Sequence, residues 1–123
     1  MNLVDSSGWL EYFADGSNST FFAPALEDAE MLLVSTVNIY EVFKRVLQQR
    51  GEDAAFQAAA LMEQARVVEV TSAISLSAAI LSAESKLPMA DSLILATART
   101  FNAVLWTQDG HLEGLAGVRF IRK

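Results

Sequence analysis

The chain has no cysteine, so disulfides and thiolate metal sites are both excluded. It has a single histidine, His111, which leaves no histidine pair for acid–base cleavage of RNA. No apolar run approaches the roughly 18 residues of a membrane span. The start lacks the basic and apolar regions of a secretory signal, so the expected location is the cytoplasm. No glycine-rich phosphate loop is present, which leaves nucleotide-cofactor enzymes unsupported. Positive charge is scarce: 9 Lys and Arg stand against 15 Asp and Glu, for a net charge of −6. That balance argues against a nucleic-acid binder of the basic-patch kind. It suits a carboxylate cluster that holds divalent cations, or a basic protein partner. With no repeats, low-complexity tract or linker, residues 1–123 read as one domain.

What is present is apolar surface. The chain is 52% hydrophobic and 20% charged, enough to build a core and, for so small a protein, to suggest burial between the subunits of a homodimer. Short apolar runs at 1–4, 31–35 (MLLVS), 67–71 (VVEVT), 104–107 (VLWT) and 118–121 (VRFI) read as strands. Helical spacing of apolar residues is found over 6–14, 21–29, 37–50, 53–65, 72–85 and 90–101, with Pro24 placed near the first turn of the second helix. Residues 110–115 read as a turn or short helix. Apolar strands alternating with helices predict an α/β fold with a mostly parallel sheet of about five strands, covered on both faces. The functional crevice of such a sheet lies beyond the carboxyl ends of its strands.

Two acids, Asp5 and Asp109, fall just past predicted strands, and two more, Glu41 and Asp91, fall in the first turns of helices. Each has an ordinary explanation when taken alone. Asp5 suits an N-cap, Asp91 is favoured by the helix dipole, and Asp109-Gly110 is a common turn pair. Glu41 fits a capping box with Asn38 and an i, i+4 pair with Arg45. Together they mean more, because the predicted sheet turns all four toward one crevice. Like charges about 5 Å apart repel by roughly 3 kcal/mol at an effective dielectric near 20. Caps and turns do not require such crowding, whereas a site for Mg²⁺ or Mn²⁺ does.

The segments Val4-Asp5-Ser6-Ser7, Asn38-Ile39-Tyr40-Glu41, LPMADSLILATA (87–98) and Leu105-Trp106-Thr107-Gln108-Asp109 resemble the PIN domain, and most closely the VapC-type toxins of bacterial toxin–antitoxin pairs. The resemblance runs through the whole chain in order and spacing, and 87–98 is its most specific part. It implies a three-layer α/β/α fold and a Mg²⁺- or Mn²⁺-dependent endoribonuclease. It implies an acidic metal site of Asp5, Glu41, Asp91 and Asp109, with Thr107 as a supporting hydroxyl. It also implies an RNA substrate, a homodimer, and a small antitoxin that covers the acidic groove. Leu112, where the family often has Phe, reads as a packing substitution.

The remaining polar residues read more plainly. His111, near a turn, is expected at the surface rather than as a ligand or base. Lys44, Arg45, Arg50, Lys86 and Arg99 are either phosphate contacts or a solvated polar face. Trp9 and Phe13 read as core or dimer contacts. Two competing functions remain in view. A phospho-accepting receiver domain needs adjacent acids after the first strand, but Asp5 is followed by Ser6-Ser7. A non-catalytic binding module on the same fold is opposed by the complete carboxylate set.

Overall fold

The computed structural model describes residues 1–123. Five strands form one sheet: β1 (Asn2–Val4), β2 (Leu32–Ser35), β3 (Arg66–Val68), β4 (Val104–Thr107) and β5 (Val118–Phe120). Their order is β3-β2-β1-β4-β5, and every neighbouring pair is parallel. The expected α/β class is therefore observed, with the first strand at the centre of the sheet.

Strand side chains alternate between the two faces with period two. Leu3, Leu33 and Leu105 enter one apolar cluster, while their neighbours Val4, Val34 and Trp106 enter the other. The second cluster is closed by α1 (Ser6–Phe13), α2 (Ser19–Leu26), α3 (Thr36–Arg50) and α4 (Glu52–Met62), which contribute Trp9, Phe22, Val42 and Met62. The first is closed by α5 (Ser72–Ser85) and α6 (Met89–Thr100), through Ile74, Ala78, Ile94 and Leu95. Four helices cover one face and two the other, which makes three layers. Both faces of the central strands are buried, and this is why those strands are written as continuous apolar runs. No helix is long and apolar enough to cross a membrane.

Local chemistry moves some boundaries from their expected places. The strand expected over 67–71 is paired only from Arg66 to Val68. Thr71 instead turns its hydroxyl to accept the N–H of Ile74 at 3.2 Å and caps α5. Pro24 lies in the interior of α2 rather than its first turn, because the helix begins at Ser19. It is tolerated there on the solvent side. The capping box at α3 pairs Asn38 with Ser35, not with Glu41. Ser35 Oγ accepts from Val37 N–H at 3.1 Å, and Asn38 Oδ1 accepts from Ser35 N–H at 3.0 Å. Asn38 reaches backwards to the cap, which leaves Glu41 free for another partner.

The helices must approach the sheet closely for this core to close. Gly8 is the tightest point: a Cβ there would stand 2.5 Å from Val4 Cγ1 and 2.7 Å from the Phe22 ring. Both neighbours are fully buried and cannot swing away. Gly8→Ala is expected to destabilise the protein by about 1–3 kcal/mol through overpacking, despite alanine's better helix propensity. Urea unfolding measures the effect; an unchanged or raised midpoint would contradict the close α1–β1 packing.

Candidate active site

Because all strands are parallel, the carboxyl ends of β1, β2 and β4 open on one edge of the sheet. Asp5 follows β1 directly and caps α1, with Oδ1 accepting the N–H of Ser6 at 2.9 Å. Its other oxygen accepts Ser7 Oγ at 3.0 Å and Thr107 Oγ1 at 2.8 Å. Thr107 ends β4, is fully buried, and accepts the N–H of Asp109 at 2.9 Å through the same hydroxyl. One hydroxyl thus joins two of the acids. Burial pushes the Asp5 carboxyl above its usual range, with the hydrogen bonds from Thr107 and Ser7 opposing that rise and the charge of Asp109 adding to it.

Asp109 opens a 3₁₀ turn (Gly110–Leu112) and caps it by accepting the N–H of His111 on Oδ1 at 2.9 Å. Asp91 comes from the opposite layer, in the first turn of α6, where the unpaired N–H groups of the helix favour an anion. It is 8% exposed, and no protein N–H hydrogen-bonds its carboxylate; His111 Nδ1 lies 3.6 Å from Oδ2, and the Asp109 carboxyl is near enough to share a proton with it. Its pKa is pushed up to about 7, first by burial and then by the charges of Asp109 and Asp5, while His111 opposes the rise. Three acids from β1, α6 and the end of β4 therefore repel one another across a small volume.

Glu41 occupies the edge of this group. Its carboxylate accepts Ser6 Oγ at 2.7 Å, and Asn38 Nδ2 donates to the same Ser6 oxygen at 3.0 Å. The expected ion pair with Arg45 does not form, because Glu41 turns inward to Ser6 while Arg45 stays in solvent. Gln108 lies behind the site, buried, with its amide accepting from Asn18 and donating to the Ser7 carbonyl.

All five residues expected at the site border this one edge, yet the set compact enough for a single ion differs from the four expected acids. Donor atoms of Asp91, Asp109 and His111 all lie within 4.8 Å of one another, whereas Asp5 and Glu41 stand outside that triplet. His111 was expected merely at the surface. It is exposed, yet its Nδ1 lies 3.0 Å from Asp109 Oδ1. Its spacing of two from Asp109, across a turn that folds back on the acid, was the signal in the sequence. The donor set fits a hard divalent cation: carboxylate oxygens predominate, and Asp91 is buried without any compensating N–H donor.

Residues 3–118 match the PIN domain family. No curated protein matches the sequence. Among solved structures, a toxin–antitoxin complex from Klebsiella pneumoniae superposes with a TM-score of 0.81 at 20% identity, covering 97% of this chain and 96% of that one. VapC20, a sarcin-ricin loop cleaving toxin from Mycobacterium tuberculosis, gives 0.76 at 21% identity, covering 97% and 99%. VapBC2 from Rickettsia felis, bound to a DNA fragment from its promoter, gives 0.74 at 11% identity, covering 98% and 97%. At these identities the likeness shows a shared fold.

The raised pKa of Asp91 has a definite sign for stability. The native state holds the Asp91 proton up to about pH 7, whereas an unfolded aspartate releases it near 3.8. Between those values the unfolded chain binds fewer protons, so rising pH favours unfolding. In metal-free protein this contribution is complete below about pH 4 and is lost as pH rises through about 7, at up to about 1 kcal/mol per pH unit. Denaturation of wild type and Asp91→Asn across pH 4–8 isolates it. The wild type should lose ground relative to the variant as pH rises, and parallel curves would refute the buried, repelled state of Asp91.

Proposed function

Since the chain belongs to the PIN domain family, we propose that it is a divalent-metal-dependent endoribonuclease, acting in the cytoplasm as the toxin of a toxin–antitoxin pair. The observation that carries this reading is the convergence of Asp5, Asp91 and Asp109, whose burial and mutual repulsion hold Asp91 near neutrality in the absence of a cation. Structural neighbours that are toxins, some of them crystallised with their antitoxin, support it at the level of the fold.

In this reading Asp5, Asp91 and Asp109 hold Mg²⁺ or Mn²⁺, with Glu41 at the edge of the group. When bound, the ion supplies Lewis acidity toward a phosphoryl oxygen and makes water a usable nucleophile at neutral pH. The chain's own residues do the positioning. Thr107 fixes the Asp5 carboxylate and the Asp109 backbone relative to each other. Ser6 holds Glu41, itself tied to Asn38. Glu41 is only partly buried, and in this reading its carboxylate accepts a proton from the attacking water. The 3′ oxygen leaves as water attacks phosphorus in line, so the products carry a 5′-phosphate and a 3′-hydroxyl.

Incubating purified protein with RNA and Mg²⁺ or Mn²⁺, beside chelator, tests the reaction class. Asp5→Asn and Asp109→Asn are expected to abolish cleavage while leaving metal-free stability unchanged or raised, since each removes a like charge. Ends bearing 2′,3′-cyclic phosphate, chelator-resistant cleavage, or an active Asn variant would defeat the proposal.

The same reading includes a homodimer. Leu76 and Ile80 project from α5 into solvent, 68% and 59% exposed, four residues apart on one helical face. Light scattering at micromolar concentration should give twice the 13.4 kDa chain mass, and Leu76→Arg with Ile80→Arg should halve it. A wild-type mass at the monomer value would remove the dimer.

A further inference from the structure

We propose that His111 is itself a ligand, through Nδ1, of the cation held by Asp91 and Asp109, so that this site takes Mn²⁺ in preference to Mg²⁺. The inference rests on the metal-site reading above and adds a nitrogen donor to what was an all-carboxylate set.

The placement of the imidazole carries the argument. An exposed histidine on a turn is free to point into water, and the side chain of His111 is 62% exposed. Its Nδ1 nevertheless faces the two acids, 3.0 Å from Asp109 Oδ1 and 3.6 Å from Asp91 Oδ2. The backbone brings the ring within reach of both acids. Asp109 Oδ1 accepts the His111 N–H at 2.9 Å, and Leu112, fully buried, pins the turn into the core on the other side. The ring therefore offers Nδ1 to the space between the two carboxylates. A cation there would meet the Nδ1 lone pair of the neutral ring, whose one proton then sits on Nε2.

The second observation is Asp91. Its side chain is 12% exposed, receives no hydrogen bond from any N–H of the protein, and points at the space shared with Asp109 and His111. Donor atoms within 4.8 Å of one another need only a small closing movement to surround one ion, since opposite ligands at about 2.1 Å stand about 4.2 Å apart. Imidazole suits the later first-row metals best, and Mn²⁺, at the start of that row, accepts it more readily than Mg²⁺, which keeps oxygen and water around it. A nitrogen donor therefore changes which ion the site prefers.

Calorimetric titration of the full chain with Mn²⁺ and with Mg²⁺, together with pulsed EPR of the Mn²⁺-loaded protein, tests the inference. Wild type should show ¹⁴N coupling to Mn²⁺ that His111→Ala abolishes. That variant should bind Mn²⁺ roughly tenfold or more weakly, the scale on which changes in a donor shell act, and Mg²⁺ within about twofold of wild type. Because His111 is exposed, the variant should keep the wild-type fold, which circular dichroism verifies. Mn²⁺ bound by wild type but lost in Asp91→Asn, with no ¹⁴N coupling, would overturn the histidine ligand and leave the acidic site standing. Failure of wild type to bind Mn²⁺, or unchanged binding in Asp91→Asn, would overturn the metal site and this inference with it.

Discussion

The pairing of β1 with β4 is the constraint on which the rest of the site depends. Asp5 N–H donates to the Trp106 carbonyl at 2.9 Å, extending the ladder one residue beyond Val4. That bond puts the Asp5 side chain beside Thr107, whose hydroxyl donates to it at 2.8 Å while accepting the Asp109 N–H. Thr107 has no exposed surface, so both the bond it donates and the bond it accepts lie within the protein. A slip of one residue in this ladder would turn Thr107 to the opposite face and separate the two acids. The slip is resisted because Leu105 and Trp106 are bound to opposite apolar clusters.

The cost of that arrangement is electrostatic. Desolvation disfavours the charged form of a carboxylate, and neighbouring carboxylates disfavour it further. Asp5 and Asp91 respond differently because their surroundings differ. Asp5 receives three hydrogen bonds, from Ser6, Ser7 and Thr107, which partly offset its burial. Asp91 receives none from an N–H or hydroxyl and has only the N-terminal end of α6 and the nearby imidazole in its favour. The two acids are thus unequal before any ion arrives, and Asp91 is the one whose charge most needs a cation.

Much of this was readable from residue order. The buried strands announced themselves as apolar runs, because burial on both faces demands apolar side chains at every position. The three-layer fold and the gathering of acids at one sheet edge followed from the alternation of strands and helices. Less visible were effects that depend on competition for a single hydrogen bond. Val70 and Thr71 look like strand, yet Thr71 gains more from capping α5. Asn38 and Glu41 look like a capping pair, yet Asn38 is itself the third residue of the helix and reaches back to the Ser35 cap, and Ser6 captures Glu41 from 35 residues away. No local pattern encodes that second contact. His111 lies at the surface as expected, but its neighbours were not visible in composition: the turn at Gly110 brings it back onto Asp109, and the packing of α6 brings Asp91 to meet it.

The site also draws on nearly the whole chain. Asp5 belongs to the junction of β1 and α1, Glu41 to α3, Asp91 to α6, and Asp109 and His111 to the turn after β4. The helices that supply Glu41 and Asp91 lie in opposite layers, each anchored to a different apolar cluster. No short fragment of the chain therefore contains all of these residues, and the unfolded chain scatters them over more than a hundred positions. Anything that binds these groups together binds the native state alone, and its binding energy becomes folding stability. The repulsion that burdens the metal-free protein is the same quantity, read with the opposite sign, that a cation would recover. Folding here works against a charge cluster that two apolar clusters hold in place.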